Sequence, residues 1–293
     1  MAAPKLRPNL PSPPKTSLVA HDRKPYEIDP AAPLIRLRDA AVRRSGRVIF
    51  SVDDLSIQHG ESIALLGPNG AGKTTFLRLI TREIHPLHRD IPPVEFCGAE
   101  RPLLSEVRAR LGIVSGSMQD EIAVHLPALE IVVGGLFGTL GLPEFMNLQV
   151  SDEAWEAGRR AMDMLGIADL ADRDVLTLSS GQARRLLIAR AIVHDPETLV
   201  FDEPCTGLDP QGMYYVRHSL RELARAGKSL LLVTHYPEDI VPEISRLVMI
   251  KDGVVFADGP KEQLMTSEQM SALFDVPMKV REEHGYYQLV AEY

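Results

Sequence analysis

From Leu34 onward the apolar positions come in short runs, separated by stretches where apolar residues recur at helical spacing. Leu34–Arg38, Arg47–Phe50 and Leu55–Ile57 are the first of these runs, and their β-type residues predict strands. Residues 62–66 (Ser-Ile-Ala-Leu-Leu) predict a buried strand, and residues 75–80 a helix leading away from it. Residues 120–180 predict mostly helix. Within them Ser151 can cap a helix carrying Trp155, Gly158, Met162 and Leu165 along one face, and Gly166 can end it. Beyond Gly181 the order is helix, strand (198–201), helix, strand (229–234), strand (247–251). Asp252-Gly253 then turns the chain into a strand over Val254–Ala257. Met278–Val290 predicts another small hairpin, around His284-Gly285. Strands alternating with helices imply an α/β fold with a mainly parallel sheet. No internal repeat is apparent, so the chain holds one set of sites.

Composition changes this picture in three ways. Residues 1–33 hold eight of the 22 prolines and predict an extended or disordered tail. The net charge of −8 argues against a nucleic-acid binder with a broad basic face. The two cysteines, Cys97 and Cys205, imply no disulfide framework and fit a reducing compartment. No stretch has the ~18 apolar residues of a membrane span. The nearest, Ala128–Leu142, is short, contains Glu130 and carries four glycines. The N-terminus lacks an apolar signal region, so the expected location is inside the cell.

The most specific chemistry lies in Gly67-Pro68-Asn69-Gly70-Ala71-Gly72-Lys73-Thr74-Thr75, which has the spacing of a phosphate-binding loop. Gly67, Gly70 and Gly72 let the backbone approach a phosphate without a Cβ in the way. Successive N–H groups form an anion-binding concavity, and the following helix adds its positive end. Lys73 then reaches the β- and γ-phosphates of a nucleotide, and Thr74 ligates Mg²⁺. A second signal is the apolar strand from Thr198 that ends in Asp202-Glu203. Asp202 is placed to hold Mg²⁺ opposite Thr74, and Glu203 to orient or deprotonate the attacking water. Alone, a strand ending in acids is more often structural. Behind a phosphate loop it indicates nucleotide hydrolysis.

A third segment makes the resemblance specific. Leu178-Ser179-Ser180-Gly181-Gln182 resembles LSGGQ, the signature of ATP-binding-cassette (ABC) ATPases, with serine in place of the middle glycine. The plain alternative is a Ser cap opening a helix, and both readings can hold together. Gly207-Leu208-Asp209-Pro210 is similar to the family's loop after the catalytic glutamate, placing Asp209 at a subunit boundary. Thr234-His235 is similar to its switch histidine, which implies contact of His235 with the γ-phosphate and with Glu203.

The resemblance spans about Leu34–Gly259. It implies a P-loop (RecA-like) core with a small antiparallel β subdomain and a helical subdomain at about 118–180. The expected organisation is a Pro-rich tail over 1–33, an ABC ATPase domain over 34–260 and a C-terminal extension over 261–293. The implied activity is Mg²⁺-dependent hydrolysis of the ATP β–γ bond, with ATP and Mg²⁺ as cofactors. In the implied assembly, two copies sandwich ATP head to tail, Ser179, Ser180, Gly181 and Gln182 completing the partner's site. A separate integral membrane permease would be the pore, with this chain peripheral on the cytoplasmic face. The alternative is a non-transport ABC switch acting on the ribosome or DNA, ranked lower because the chain is acidic and lacks a second cassette. No nucleic-acid partner is expected.

Two departures from the family pattern stand out. The family's glutamine follows the apolar strand Leu111–Val114 directly, whereas here Gln119 comes a few residues later, as a candidate Mg²⁺ contact. The family also stacks an aromatic on adenine, and here the corresponding region offers Arg44. A guanidinium stacks on any purine, which predicts weak discrimination between ATP and GTP. The alternative is that Arg44 is solvated and another side chain covers the base. Ala128–Leu142 lies where family members meet the membrane partner, although most of its residues are expected to be core.

Overall fold

The computed structural model describes residues 26–122, 124–142 and 149–291. Most of the Pro-rich tail expected over 1–33 lies outside these residues. The first two strands are longer than the apolar runs predict. β1 (Ile35–Arg44) and β2 (Arg47–Ile57) form an antiparallel hairpin, turned by Ser45 and Gly46 at φ 48° and 81°. The two runs at 47–50 and 55–57 are one strand, because Asp53 and Asp54 between them face solvent without leaving the ladder. Hydrogen bonding to β1, rather than side-chain apolarity, carries the strand through that polar step.

β3 (Ile63–Leu66) is buried throughout, as its unbroken apolarity predicts. α1 (Lys73–Ile80) follows it and buries Phe76 edge-on to Phe50, ring centres 5.9 Å apart. β4 (Val94–Phe96), α2 (Leu104–Arg110) and α3 (Gly116–Glu121) have no counterpart among the elements that the apolar pattern predicts. β5 is Leu111–Ser115. In the stretch expected to be mostly helical, α4 (Ala128–Gly134) runs into a 3₁₀ turn at Gly135–Phe137, and α5 is Asp152–Met164. Ser151 caps α5, its Oγ accepting from the Ala154 N–H at 3.3 Å. Residues 128, 129 and 131–133 are buried, so the first half of Ala128–Leu142 is core.

The remaining elements follow the predicted order. They are α6 (Ser180–Ile192), β6 (Thr198–Asp202), α7 (Pro210–Arg225), β7 (Ser229–Thr234), β8 (Arg246–Lys251) and β9 (Val254–Pro260). α8 (Lys261–Leu264) and α9 (Ser267–Phe274) precede the hairpin of β10 (Met278–Glu283) and β11 (Tyr286–Ala291).

Among the described residues, nine strands form one mixed sheet, in the order β4-β1-β2-β9-β8-β3-β7-β6-β5. The β4, β1 and β2 end is antiparallel, while β8, β3, β7, β6 and β5 run parallel. Alternate residues of β3 serve two cores. Ala64 and Leu66 face one with α4 to α7, and Ile63 and Leu65 face the other with Phe50 and Phe76. In an open α/β sheet the carboxyl ends of the parallel strands are the natural binding edge. β3, β7, β6 and β5 are consecutive neighbours there, and each runs directly into one of the segments singled out above.

Candidate active site

The loop that leaves β3 depends on two glycines. A Cβ on Gly67 would lie 2.1 Å from the carbonyl oxygen of Ile250, so only glycine lets the loop pass β8. Gly72 caps α1 at φ 106°, a conformation that β-carbon-bearing residues rarely adopt. The loop is closed by the Ala71 N–H to Pro68 O at 3.2 Å and braced by the Gly253 N–H to Ala71 O at 2.9 Å. Lys73 is 5% exposed and folds back on this loop, donating to Gly67 O at 2.8 Å and Pro68 O at 3.0 Å. Its Nζ stands 3.7 Å from Glu203 Oε1. Burial pushes its pKa down, against the opposing pull of Glu203 and Asp202.

The two carboxylates come from the end of β6. Burial and the adjacent Glu203 charge push Asp202 up to about 6, with Lys73 opposing. Glu203 leaves the strand at φ 49°, a left-handed conformation worth about 1–3 kcal/mol of strain in a non-glycine residue. Its N–H donates to Val233 O on β7 at 2.8 Å, which holds the turn in place. The side chain then points between three groups. Thr206 Oγ1 donates to Oε2 at 3.2 Å, His235 Nδ1 lies 3.0 Å from Oε1, and Lys73 is the third. His235 in turn leans on the Tyr236 ring, centres 3.9 Å apart.

Asp202, Glu203 and Thr206 open onto a cleft of about 460 Å³ lined also by Thr74, Gln119, Ser180 and Arg184, among others. Gln119 therefore reaches the cleft despite its late position in sequence, and its Oε1 is buried without a hydrogen-bond partner. The oxygens of Thr74, Asp202 and Gln119 make a hard donor set of the kind Mg²⁺ takes. Arg184 and Thr206 are residues that the sequence reading missed. Arg184 is 4% exposed. It lies four positions after Ser180 on the same helix, and that spacing puts both on one face and was the available signal.

The sequence profile described as "ABC transporter" matches residues 50–206. The chain is 31% identical over 249 residues to the uncharacterized ABC transporter ATP-binding protein YlmA of Bacillus subtilis, covering 84% of this chain and 93% of that one. The chain belongs to the ABC transporter family. It is an ATP-binding subunit of that family, whose members hydrolyse ATP. The fold agrees with solved ABC structures. An inward-facing metal-chelate type ABC transporter aligns with TM-score 0.71 at 24% identity, over 89% of this chain and 98% of that one. CbiO1 of Clostridium perfringens, part of the CbiONQ transporter complex, aligns with TM-score 0.65 at 25% identity, over 82% and 93%.

The signature segment of this ABC subunit opens α6. Ser179 is its cap, with Oγ accepting from the Gln182 N–H at 3.3 Å and the Ser179 N–H donating back to Gln182 Oε1 at 3.0 Å. Ser180 and Gly181 are left facing outward at a second cleft of about 380 Å³, shared with Ser179, Gln182 and Asp209. Asp209 caps α7, accepting from the Gly212 N–H at 2.7 Å. A Cβ on Gly181 would sit 2.9 Å from Gly212 Cα, so the two helix starts touch backbone to backbone. Arg44 stands at the exposed end of the β1–β2 hairpin, opposite Arg47, and does not line either cleft. Cys97 and Cys205 are both free and buried.

Proposed function

We propose that this ABC subunit is a Mg²⁺-dependent ATPase that pairs head to tail on ATP and drives a separate membrane permease. The observation that carries this reading is the convergence of Lys73, Asp202, Glu203 and His235 at the carboxyl ends of three adjacent parallel strands. Lys73 and the loop N–H groups take the phosphates, and Lys73 exchanges its two carbonyl contacts for phosphate oxygens. Thr74, Asp202 and Gln119 would hold Mg²⁺, which would supply positive charge against the phosphates. Glu203 accepts the proton of the attacking water, and His235 holds Glu203 and contacts the γ-phosphate. Ser180 and Gly181 of one copy cover the nucleotide of the other, with Asp209 at the boundary between copies.

Among the described residues no helix is long and apolar enough to cross a membrane, so the pore in this reading belongs to another chain. A groove of about 330 Å³ between α2 and the turn Gly135–Phe137 suits such a partner. Leu103, at its edge, and Leu104, in its lining, are 60% and 47% exposed. Co-purification from detergent-solubilised membranes tests the assembly. A multi-span protein is expected with the wild type and reduced with Leu104→Asp. Ribosomes or DNA in its place would replace transport with a soluble switch.

Asp202 supplies a pH test. Its carboxyl, at about 6, must be ionised to ligate a cation, so protons and Mg²⁺ compete there. Between pH 7 and pH 5 its charged fraction falls about tenfold. The Kd for Mg·ATP, corrected for protonation of ATP itself, is expected to weaken by that factor. The stability sign is opposite. A carboxyl raised in the fold gives extra stability that is full below its unfolded value and is lost as pH rises through about 6. At pH 7 the ligand-free protein therefore carries a penalty of at most about 3 kcal/mol, less for a side chain still partly wet. Asp202→Asn should raise the ligand-free Tm while weakening Mg²⁺-dependent binding. A lower Tm with unchanged Mg²⁺ dependence would remove Asp202 from the metal set.

A further inference from the structure

The loop after the catalytic glutamate and the loop after the switch histidine meet at one buried carboxylate, Asp239, which is 1% exposed. Its Oδ1 accepts from Arg217 Nε at 3.0 Å and Arg217 Nη2 at 2.7 Å. Its Oδ2 accepts from Thr234 Oγ1 at 3.0 Å, and that same hydroxyl oxygen accepts from the Tyr236 N–H at 3.0 Å. The Asp239 N–H donates to Tyr236 O at 3.0 Å, closing a ring of bonds around His235. The thiol of Cys205, two residues beyond Glu203, faces the same pair; burial and then the Asp239 charge push it up to about 12. Arg217 belongs to α7, the helix that Asp209 caps at the second cleft.

The physics gives this ring a direction. A buried carboxylate that loses its cation is strongly unfavourable, so Asp239 is stable only with α7 seated beneath it. With α7 seated, Thr234 is fixed on one side of His235 and Tyr236 on the other. The backbone that carries His235 is thereby held on both sides, with the imidazole Nδ1 3.0 Å from Glu203 Oε1. We propose that Asp239, held by Arg217, is a positioning residue for hydrolysis: it locks His235 against Glu203 and makes that geometry depend on the seating of α7. The inference rests on Glu203 and His235 being the hydrolytic pair. It adds the device that orients them and links them to the helix at the second cleft. Neither Asp239 nor Arg217 touches the cleft, so their effect falls on turnover rather than on nucleotide binding.

The test uses the full chain. Asp239→Asn keeps the shape and removes the charge. Its kcat is expected to fall about tenfold to a hundredfold, with the KM for ATP within about threefold of wild type. Thr234→Val removes one bond of the ring and leaves the ion pair intact, which keeps the test valid should Asp239→Asn fold poorly. It should lower kcat about tenfold, and Thr234→Ser, which retains the hydroxyl, should restore it. Wild-type kcat in Thr234→Val overturns the inference. So does a loss of kcat that tracks loss of ATP affinity and of Tm, the mark of a merely structural residue. Glu203→Gln separates the two levels. If it retains turnover, the underlying pair is wrong; if it stops turnover while Thr234→Val does not, only the positioning role fails.

Discussion

Glu203→Gln is expected to stop ATP turnover while leaving ATP bound. The amide has the same shape, keeps the Thr206 contact and still reaches His235, but it cannot take a proton from water. Loss of a general base lowers rates by about 10²–10⁴. Binding should hold or improve slightly. The carboxylate contributes like-charge repulsion to Asp202, which must carry its own charge to ligate the cation, and it adds a negative charge beside the incoming phosphates. If hydrolysis is what separates the paired copies, the variant accumulates as an ATP-loaded dimer. Size-exclusion chromatography with ATP and Mg²⁺ reads that state, and single-turnover assays read the chemistry. A rate within about threefold of wild type moves the base elsewhere, with His235 the nearest titratable group.

What was legible in the sequence was legible for local reasons. The phosphate loop and the Asp202-Glu203 pair carry their geometry in spacing, because each sits where a buried strand ends and the chain must turn. Gln119 shows the limit. Counted along the chain it comes too late for the family's glutamine, but residues 116–121 are helical. Helix advances about 1.5 Å per residue against about 3.3 Å in a strand, so the extra residues add little distance and the side chain still reaches the cleft. The polar step at Asp53-Asp54 separates two apolar runs in the sequence, while the hydrogen bonds that carry β2 through it come from β1. Asp239 was not legible. It matters through a partner brought near by the fold, and Arg217 and Asp239 lie 22 positions apart with no pattern joining them.

Lys73→Ala is expected to weaken ATP binding by about a hundredfold or more, close to 2.7 kcal/mol. The starting point is a buried ammonium whose contacts are two backbone carbonyls and a carboxylate. Two neutral acceptors satisfy its hydrogens but offset little of its charge, and burial already lowers its pKa. A phosphate offers the same hydrogen-bond geometry with a full opposing charge, and charge-assisted bonds are roughly twice as strong as neutral ones. The exchange from carbonyls to phosphate therefore favours the bound state. Without Lys73 the loop keeps its N–H groups, but the charges of Asp202 and Glu203 beside the nucleotide lose the ammonium that opposes them. Asp202 should then rise further above about 6, because Lys73 is the nearest cation holding it down. Lys73→Arg is expected to rescue little, since the side chain occupies a site only 5% exposed and a guanidinium is wider than an ammonium. Calorimetric titration with ATP, alongside circular dichroism to establish folding, decides the matter. A folded Lys73→Ala protein that binds ATP within about threefold of wild type would show that the backbone loop alone carries the phosphates.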